Sequence, residues 1–199
     1  MGLTITKEEI AALPVETFEG KIHVIDQVKQ VPGAVALLAK ESLLGFDTET
    51  KPAFKRGQVN KVALLQLATK NDCFLFRLNR IGYPNELEEL MGNPDIRKIG
   101  LSLRDDFAAI RQRSGERPEN FIDLQSYVDM FGIEVNSLQK IYALLFNKKI
   151  SKSQRISNWE APTLSPAQQS YAAIDAWACL RIYTYLSNMD PEKWAKCVQ

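Results

Sequence analysis

The sequence has one histidine and three cysteines, which leaves few residues for a nitrogen- or sulfur-based metal site. Cys73, Cys179 and Cys197 are far apart and form no C-x-x-C pair, a pattern that suits a reducing compartment. We interpret them as packing residues. His23 lies in a short apolar run, and one histidine cannot build a histidine-rich zinc site, so we interpret it as an ordinary strand residue.

Long apolar runs and an excess of one charge are also missing. No stretch of about 18 consecutive apolar residues exists, and the N-terminus lacks a basic region followed by an apolar core. We therefore expect no membrane partner and a cytoplasmic location. The 25 basic and 24 acidic residues give a net charge of +1, so a nucleic-acid partner would have to be held by a local patch.

The composition is that of one globular domain. With 199 residues, 45% of them hydrophobic and 25% charged, the chain can bury a sizeable core and is neither disordered nor fibrous. We predict an N-terminal extension over residues 1–20 that packs onto the core, followed by one domain over residues 21–199. No internal repeat, low-complexity segment or linker divides that domain.

Apolar runs dominate the first half of the chain and helical patterns the second. The runs that begin at Leu43, Val62 and Cys73 predict an antiparallel meander. Strands followed by helices, with one crossover near Pro84, predict an α/β fold in which a mixed β-sheet, the meander plus parallel strands, is flanked by helices. The predicted strands are residues 21–26, 43–48, 61–68, 73–76 and 97–101. The predicted helices are residues 35–40, 84–91, 124–130, 138–146 and 166–186, with another around Phe107 and Ile110.

Two acids separated by one residue follow the apolar run of the second predicted strand. Alternate side chains of a strand point to the same face, so Asp47 and Glu49 would project together. Neighbouring carboxylates repel and raise each other's pKa unless a cation compensates them, and hard divalent cations such as Mg²⁺ or Mn²⁺ suit oxygen ligands best. The alternative for this stretch alone is a solvated loop after a buried strand.

Further acids lie in two of the predicted helices. Asp105 and Asp106 open the helix after the last predicted strand, where capping explains one of the two. Tyr171 and Asp175 are one turn apart on one helix face. Asp175 is surrounded by apolar residues, and a buried aspartate is costly without a partner. Taken singly, Asp175 could instead lie on an exposed face.

In this order the acids resemble the motifs of the DEDD family of 3′–5′ exonucleases, in the subgroup with a tyrosine in the last motif and a ribonuclease H-like fold. The three motifs correspond to residues 47–49, 100–106 and 171–175. The resemblance covers roughly residues 20–187, so chance agreement of short motifs is an unsatisfactory explanation. Residues 61–67 and 152–159 are similar to the Werner-type exonuclease domain, and ribonuclease D is a more distant relative.

The resemblance implies a site with two divalent cations, Mg²⁺ or Mn²⁺. The implied metal ligands are Asp47, Glu49, Asp106 and Asp175. Tyr171 completes the catalytic set and would orient the attacking water, because a phenol with a pKa near 10 is a poor base at neutral pH. Family spacing favours Asp106 over Asp105 as the ligand, and Glu49 would also contact the terminal 3′ hydroxyl.

Substrate contacts are predicted beside the first motif and in a basic stretch before the last helix. The candidates are Thr48, Glu49, Lys152, Arg155, Asn158 and Trp159. The basic residues could follow a phosphate backbone and Trp159 could stack on a base. A solvated basic loop is the alternative.

The function that follows from the resemblance is 3′–5′ exonuclease activity on single-stranded or 3′-recessed nucleic acid, with release of nucleoside 5′-monophosphates. DNA is the favoured substrate, and with it a role in DNA repair. The alternatives are an RNA 3′-end-trimming enzyme of the ribonuclease D type and a catalytically silent nucleic-acid-binding module on the same fold. The oligomeric state is left open.

Overall fold

The structure is a computed structural model, and it describes residues 3–53, 60–113, 118–191 and 194. Its centre is a six-stranded sheet in the order β1-β4-β3-β2-β5-β6. The strands are β1 (Lys21–Ile25), β2 (Leu43–Thr50), β3 (Val62–Ala68), β4 (Asp72–Phe76), β5 (Arg97–Gly100) and β6 (Phe121–Asp123). The helices are α1 (Lys7–Ala12), α2 (Val31–Leu38), α3 (Leu78–Ile81), α4 (Asn85–Gly92), α5 (Leu103–Arg111), α6 (Leu124–Asp129), α7 (Leu138–Phe146) and α8 (Pro166–Ser187).

The sheet is mixed, as the sequence predicts. Strands β2, β3 and β4 form the antiparallel meander, whereas β1 pairs parallel to β4, and β5 pairs parallel to both β2 and β6. Strand β3 is buried along its whole length because helices cover both faces of the sheet. Since β2, β5 and β6 run in the same direction, their carboxyl ends meet at one edge of the sheet. This edge carries the first two acidic motifs.

The predicted elements differ from the structure mainly at short segments. Helix α2 begins at Val31, earlier than predicted, because Pro32 is tolerated in the first helical turn. Helices α1 and α3 and strand β6 were missed. The capping box of Thr6 and Glu9 is a local signal for α1, whereas β6 has three residues and depends on pairing with β5. His23 lies in β1, as predicted.

The leading segment is tied to the helices by one buried acid. Glu16 is 7% exposed and accepts hydrogen bonds from Tyr142 (2.7 Å), Lys148 (2.9 Å) and Arg181 (2.6 Å). Burial alone would raise the pKa of Glu16, but the three donors together hold it below its usual value. Residues 14–16 thereby lie along the connection that follows α7. The boundary near residue 20 stays a prediction.

Two cysteines pack in the interior, as the sequence suggested. Cys73 and Cys179 are buried and free, whereas Cys197 lies outside the described residues. Within the described residues, no helix has the length and apolar character needed to cross a membrane.

Candidate active site

Strand β2 supplies the first two acids of the site. Asp47 and Glu49 lie on the same face near the end of the strand, and both are half-buried. Asp47 is opposite Gln66 of β3 and Glu49 is opposite Leu64. The pairing register shifts immediately after Glu49, so regular pairing with β3 ends where the acids are.

Helix α8 adds the third acid, because it packs unusually close to β2. A Cβ atom on Gly45 would lie 2.0 Å from the backbone oxygen of Ala176, so only a glycine permits this approach. The approach brings Asp175, 5% exposed, to the acids of β2. One carboxylate oxygen from each of Asp47, Glu49 and Asp175 lies within 4.8 Å of the others. Oδ1 of Asp175 is buried without a hydrogen-bond partner.

Asp106 approaches the same strand from the other side. The Thr48 hydroxyl donates a hydrogen bond to Oδ1 of Asp106, which is half-buried, whereas Asp105 is exposed. Asp106 is not one of the trio formed by Asp47, Glu49 and Asp175, but its hydrogen bond to Thr48 holds it beside the strand residue that lies between Asp47 and Glu49.

Neither Asp105 nor Asp106 caps α5. The carboxylate of Asp123, at the end of β6, accepts hydrogen bonds from the backbone amides of Ser102 and Leu103, each at 2.9 Å. Asp105 and Asp106 do lie in the first turn of α5, as predicted, where acids complement the helix dipole, but the hydrogen bonds to the first backbone amides go to Asp123. No local pattern near α5 indicated this role, because Asp123 is reached only through the parallel pairing of β5 and β6.

Burial opposes the ionisation of all four acids, and for Asp47 and Glu49 the charges of neighbouring acids add to this effect. Burial is the largest cause for all of them, and it raises the pKa of Glu49 to about 8, of Asp175 to about 7 and of Asp106 to about 6. Burial also raises the pKa of Asp47 well above its usual value, with further contributions from the charges of Asp175, Glu49 and Asp106. Without a compensating cation, the cluster therefore retains protons near neutral pH.

This electrostatic strain predicts a pH-dependent stability of the metal-free protein. Because the folded-state pKa values lie above the usual values, the acids cost no stability below about pH 4 and lower it as the pH rises through about 6 to 8. In urea titrations with chelator, the free energy of unfolding should fall across this interval. In Asp47→Asn, the total fall in the free energy of unfolding over this pH interval should be smaller than in the wild type by on the order of 1–3 kcal/mol. A wild-type protein equally stable at pH 5 and 8.5 would contradict the cluster's electrostatics.

Tyr171 lies one helical turn before Asp175, and its hydroxyl is near enough to lower the pKa of the Asp175 carboxyl, against the larger effect of burial. Burial, followed by the charges of Asp175 and Glu49, raises the pKa of Tyr171 far above its usual value. The phenol is therefore neutral at any physiological pH, and it can position a water molecule by hydrogen bonding but cannot act as a phenolate base.

The position of Trp159 contradicts the prediction that its ring stacks on a base. Its side chain is 0% exposed and packs beside Tyr171, with ring centroids 6.0 Å apart, so it has no free face on which a base could stack. The segment before it is fixed to α8, since the Gln168 side chain donates to the Ser157 hydroxyl (3.0 Å) and the Asn158 carbonyl (3.2 Å). Trp159 therefore supports the position of the Tyr171 ring.

The remaining predicted substrate residues lie at the surface. Lys152, Arg155 and Asn158 are exposed. Lys152 is close enough to the acids for its charge to lower the pKa of Asp175, against the larger effect of burial. The basic stretch therefore borders the acidic cluster.

A cavity of about 410 Å³ opens directly beside the acids. Its lining includes Thr48, Glu49, Lys51, Asn60 and Asp106. A larger cavity of about 760 Å³ lies between the end of α7, the outer face of α8 and the β3–β4 turn, but it contains none of the four acids. We assign the chemistry to the smaller of these two cavities, because two of the four acids, Glu49 and Asp106, line it.

Residues 22–190 match the sequence model of a family described as 3'-5' exonuclease. The chain belongs to the 3′–5′ exonuclease family. Among curated relatives of this chain, the mouse bifunctional 3'-5' exonuclease/ATP-dependent helicase WRN is 31% identical over 158 residues, which are 76% of this chain and 11% of WRN. The chain spans between 11% and 26% of the length of the first curated relatives that it matches.

Solved exonuclease structures share the fold. The Nibbler EXO domain of Aedes aegypti matches with a TM-score of 0.76 and 23% identity, over 92% of this chain and 99% of that domain. Ribonuclease D of Trypanosoma brucei, solved in complex with RNA U12, matches with a TM-score of 0.75 and 20% identity, over 87% of this chain and 64% of that one. The resemblance inferred from the three motifs, including its ribonuclease H-like fold, is confirmed.

In this member of the exonuclease family, Asp106 and Asp105 should respond differently to substitution. We expect Asp106→Asn to reduce turnover by about a hundredfold or more, because the substitution removes the negative charge of this carboxylate beside Glu49. Asp105→Asn should stay within about threefold of the wild-type turnover. Initial rates on a labelled single-stranded oligonucleotide measure both. The reverse ranking would show that Asp105 is the functional acid.

Proposed function

We propose that this exonuclease hydrolyses the terminal phosphodiester bond at the 3′ end of a nucleic-acid strand in a reaction that depends on divalent cations. The oxygen of a water molecule forms a bond to the phosphorus, and the bond from phosphorus to the O3′ of the preceding nucleotide breaks. The products are a nucleoside 5′-monophosphate and a strand with a free 3′ hydroxyl. The observation that carries the proposal is the close approach of Asp47, Glu49 and Asp175.

The acids fit divalent cations on three grounds. All donors are hard carboxylate oxygens, one buried oxygen of Asp175 has no hydrogen-bond partner, and burial together with the neighbouring negative charges raises the pKa of Asp47. We propose two ions, Mg²⁺ or Mn²⁺, held by Asp47, Glu49, Asp106 and Asp175. When bound, such ions stabilise charge on the attacking and leaving oxygens and lower the pKa of water.

The other residues position the reactants. The neutral hydroxyl of Tyr171 aligns the attacking water, and Glu49 contacts the terminal 3′ hydroxyl. Thr48 holds the Asp106 carboxylate through its hydrogen bond. Exposed Lys152 and Arg155 bind the phosphates of the incoming strand, which brings positive charge to an otherwise acidic site.

DNA with a single-stranded or 3′-recessed end is the substrate that we favour. RNA is the second candidate, because the ribonuclease D of Trypanosoma brucei that shares this fold was solved in complex with RNA. The four acids and Tyr171 would serve both substrates, since the phosphodiester chemistry is the same.

The test is digestion of matched DNA and RNA oligonucleotides, single-stranded or 3′-recessed, that carry a label at either end. With Mg²⁺ or Mn²⁺, we expect a 3′ label to be released on a mononucleotide. A strand labelled at its 5′ end should shorten by one nucleotide at a time. Chelator and Asp175→Asn should abolish both. Binding of the oligonucleotides without any hydrolysis would overturn the proposal and favour a silent binding module.

A further inference from the structure

Ile156 is the most exposed large apolar side chain in the described part of the chain, with 68% of its surface accessible. Single exposed apolar residues are common and need no explanation on their own. The position of Ile156 is what distinguishes it from the other exposed apolar side chains: Val15, Val28, Leu37 and Met130.

The chain on both sides of Ile156 is fixed against the active site. On one side, Lys152 lies near enough to Asp175 to influence its pKa. On the other side, the Ser157 hydroxyl accepts a hydrogen bond from Gln168 of α8, and Trp159 packs beside Tyr171. Ile156 is therefore held at the border of the acidic cluster while its side chain faces solvent.

The same loop is fastened from the sheet as well. Arg77, at the end of β4, is buried and donates hydrogen bonds to the backbone oxygens of Ala161 and Pro162. Arg80 donates a further hydrogen bond to the Pro162 oxygen at 2.8 Å. These hydrogen bonds hold the loop that carries Ile156 in place at the edge of the acidic cluster.

The neighbours of Ile156 indicate what it meets. Lys152 and Arg155 are exposed cations in the same loop, and they attract the phosphates of a nucleic-acid strand. A strand that is held by its phosphates presents bases at the same surface, and each base has an apolar face. The aromatic ring of this loop is unavailable, because Trp159 is fully buried. Ile156 is the exposed apolar side chain that remains there.

We propose that Ile156 makes the apolar contact of this loop with a base of the bound strand, an inference that rests on the proposed function. An isoleucine side chain has no hydrogen-bonding group, so the contact discriminates little between base types. It does require a base that is unpaired and accessible. Ile156 thus favours single-stranded 3′ ends over fully paired ones.

The experiment measures binding separately from hydrolysis. Fluorescence anisotropy with a labelled single-stranded oligonucleotide is carried out in the Asp175→Asn background, which prevents digestion. Ile156→Ala should weaken binding roughly 3- to 30-fold, the range expected when one apolar contact with a base is lost. Ile156→Leu should restore the affinity. Met130→Ala is the matched control, since Met130 is 58% exposed and lies beyond the end of α6, and it should not change binding.

Abasic sites locate the contact. Each oligonucleotide carries one abasic site, and the site is moved stepwise from the 3′ end. When the missing base is the one that contacts Ile156, Ile156→Ala and the parent protein should bind with equal affinity. With the abasic site at any other position, the parent should still bind more tightly. Equal affinity of the two proteins for the intact strand would overturn the inference, as would a difference that persists at every abasic position. Failure of the wild type to hydrolyse a strand that it binds would overturn the proposed function alone. Failure to bind any oligonucleotide would overturn both.

Discussion

Asp175→Asn is expected to reduce turnover of a single-stranded oligonucleotide by about a thousandfold or more while the protein stays folded. The substitution keeps the shape of the side chain but removes the charge of the acid that completes the trio with Asp47 and Glu49. Charge stabilisation at both reacting oxygens depends on this set, and loss of one such interaction costs about 10²- to 10³-fold even where a single hydrogen bond is involved. Single-turnover rates with saturating Mg²⁺ measure the effect.

The matched control for this prediction is Asp129→Asn. Asp129 is an exposed aspartate at the end of α6, and its substitution should leave turnover unchanged. Mn²⁺ titration of both variants supplies a second measurement, because only Asp175→Asn should weaken metal binding. Retention of more than about a tenth of wild-type turnover by Asp175→Asn would mean that the acidic trio is not the reaction centre.

Tyr171→Phe is expected to lower kcat by roughly a hundred- to thousandfold, or about 2.7–4 kcal/mol, with KM and metal affinity close to wild type. The ring that packs beside Trp159 is retained, and only the hydroxyl is lost. Because burial and the neighbouring acids raise the pKa of Tyr171 far above its usual value, the wild-type rate should show no inflection from phenol ionisation up to pH 9.

Tyr185→Phe is the control for this hydroxyl. Tyr185 is on the same helix, where it lines the larger cavity that lacks the four acids, so its substitution should not affect turnover. If Tyr171→Phe turns over like the wild type while Asp175→Asn is inactive, Tyr171 is only a packing residue. The role of the acids would then stand, but the mechanism for orienting water would fail.

Much of the fold could be predicted because its signals are local. The apolar runs of β2, β3 and β4 identified the meander, and the long helix α8 followed from its apolar pattern after Pro166. Strand β6 could not be predicted, because three residues carry too little pattern and become a strand only through pairing with β5.

The sequence by itself determined which residue types the site contains and how they are spaced. Alternation along β2 placed Asp47 and Glu49 on one face, and one helical turn placed Tyr171 beside Asp175. These relations depend on the geometry of a single strand or helix, so they need no knowledge of distant neighbours. Family membership followed from their order along the chain.

Only the tertiary structure decided which side chains reach the site. Asp106 meets Thr48 while Asp105 is exposed, Asp123 supplies the cap of α5, and Trp159 is buried under Tyr171. Each outcome depends on how a helix or loop is rotated against an element distant in sequence. Burial and hydrogen bonding across the fold set that rotation, and neither residue type nor local spacing encodes it.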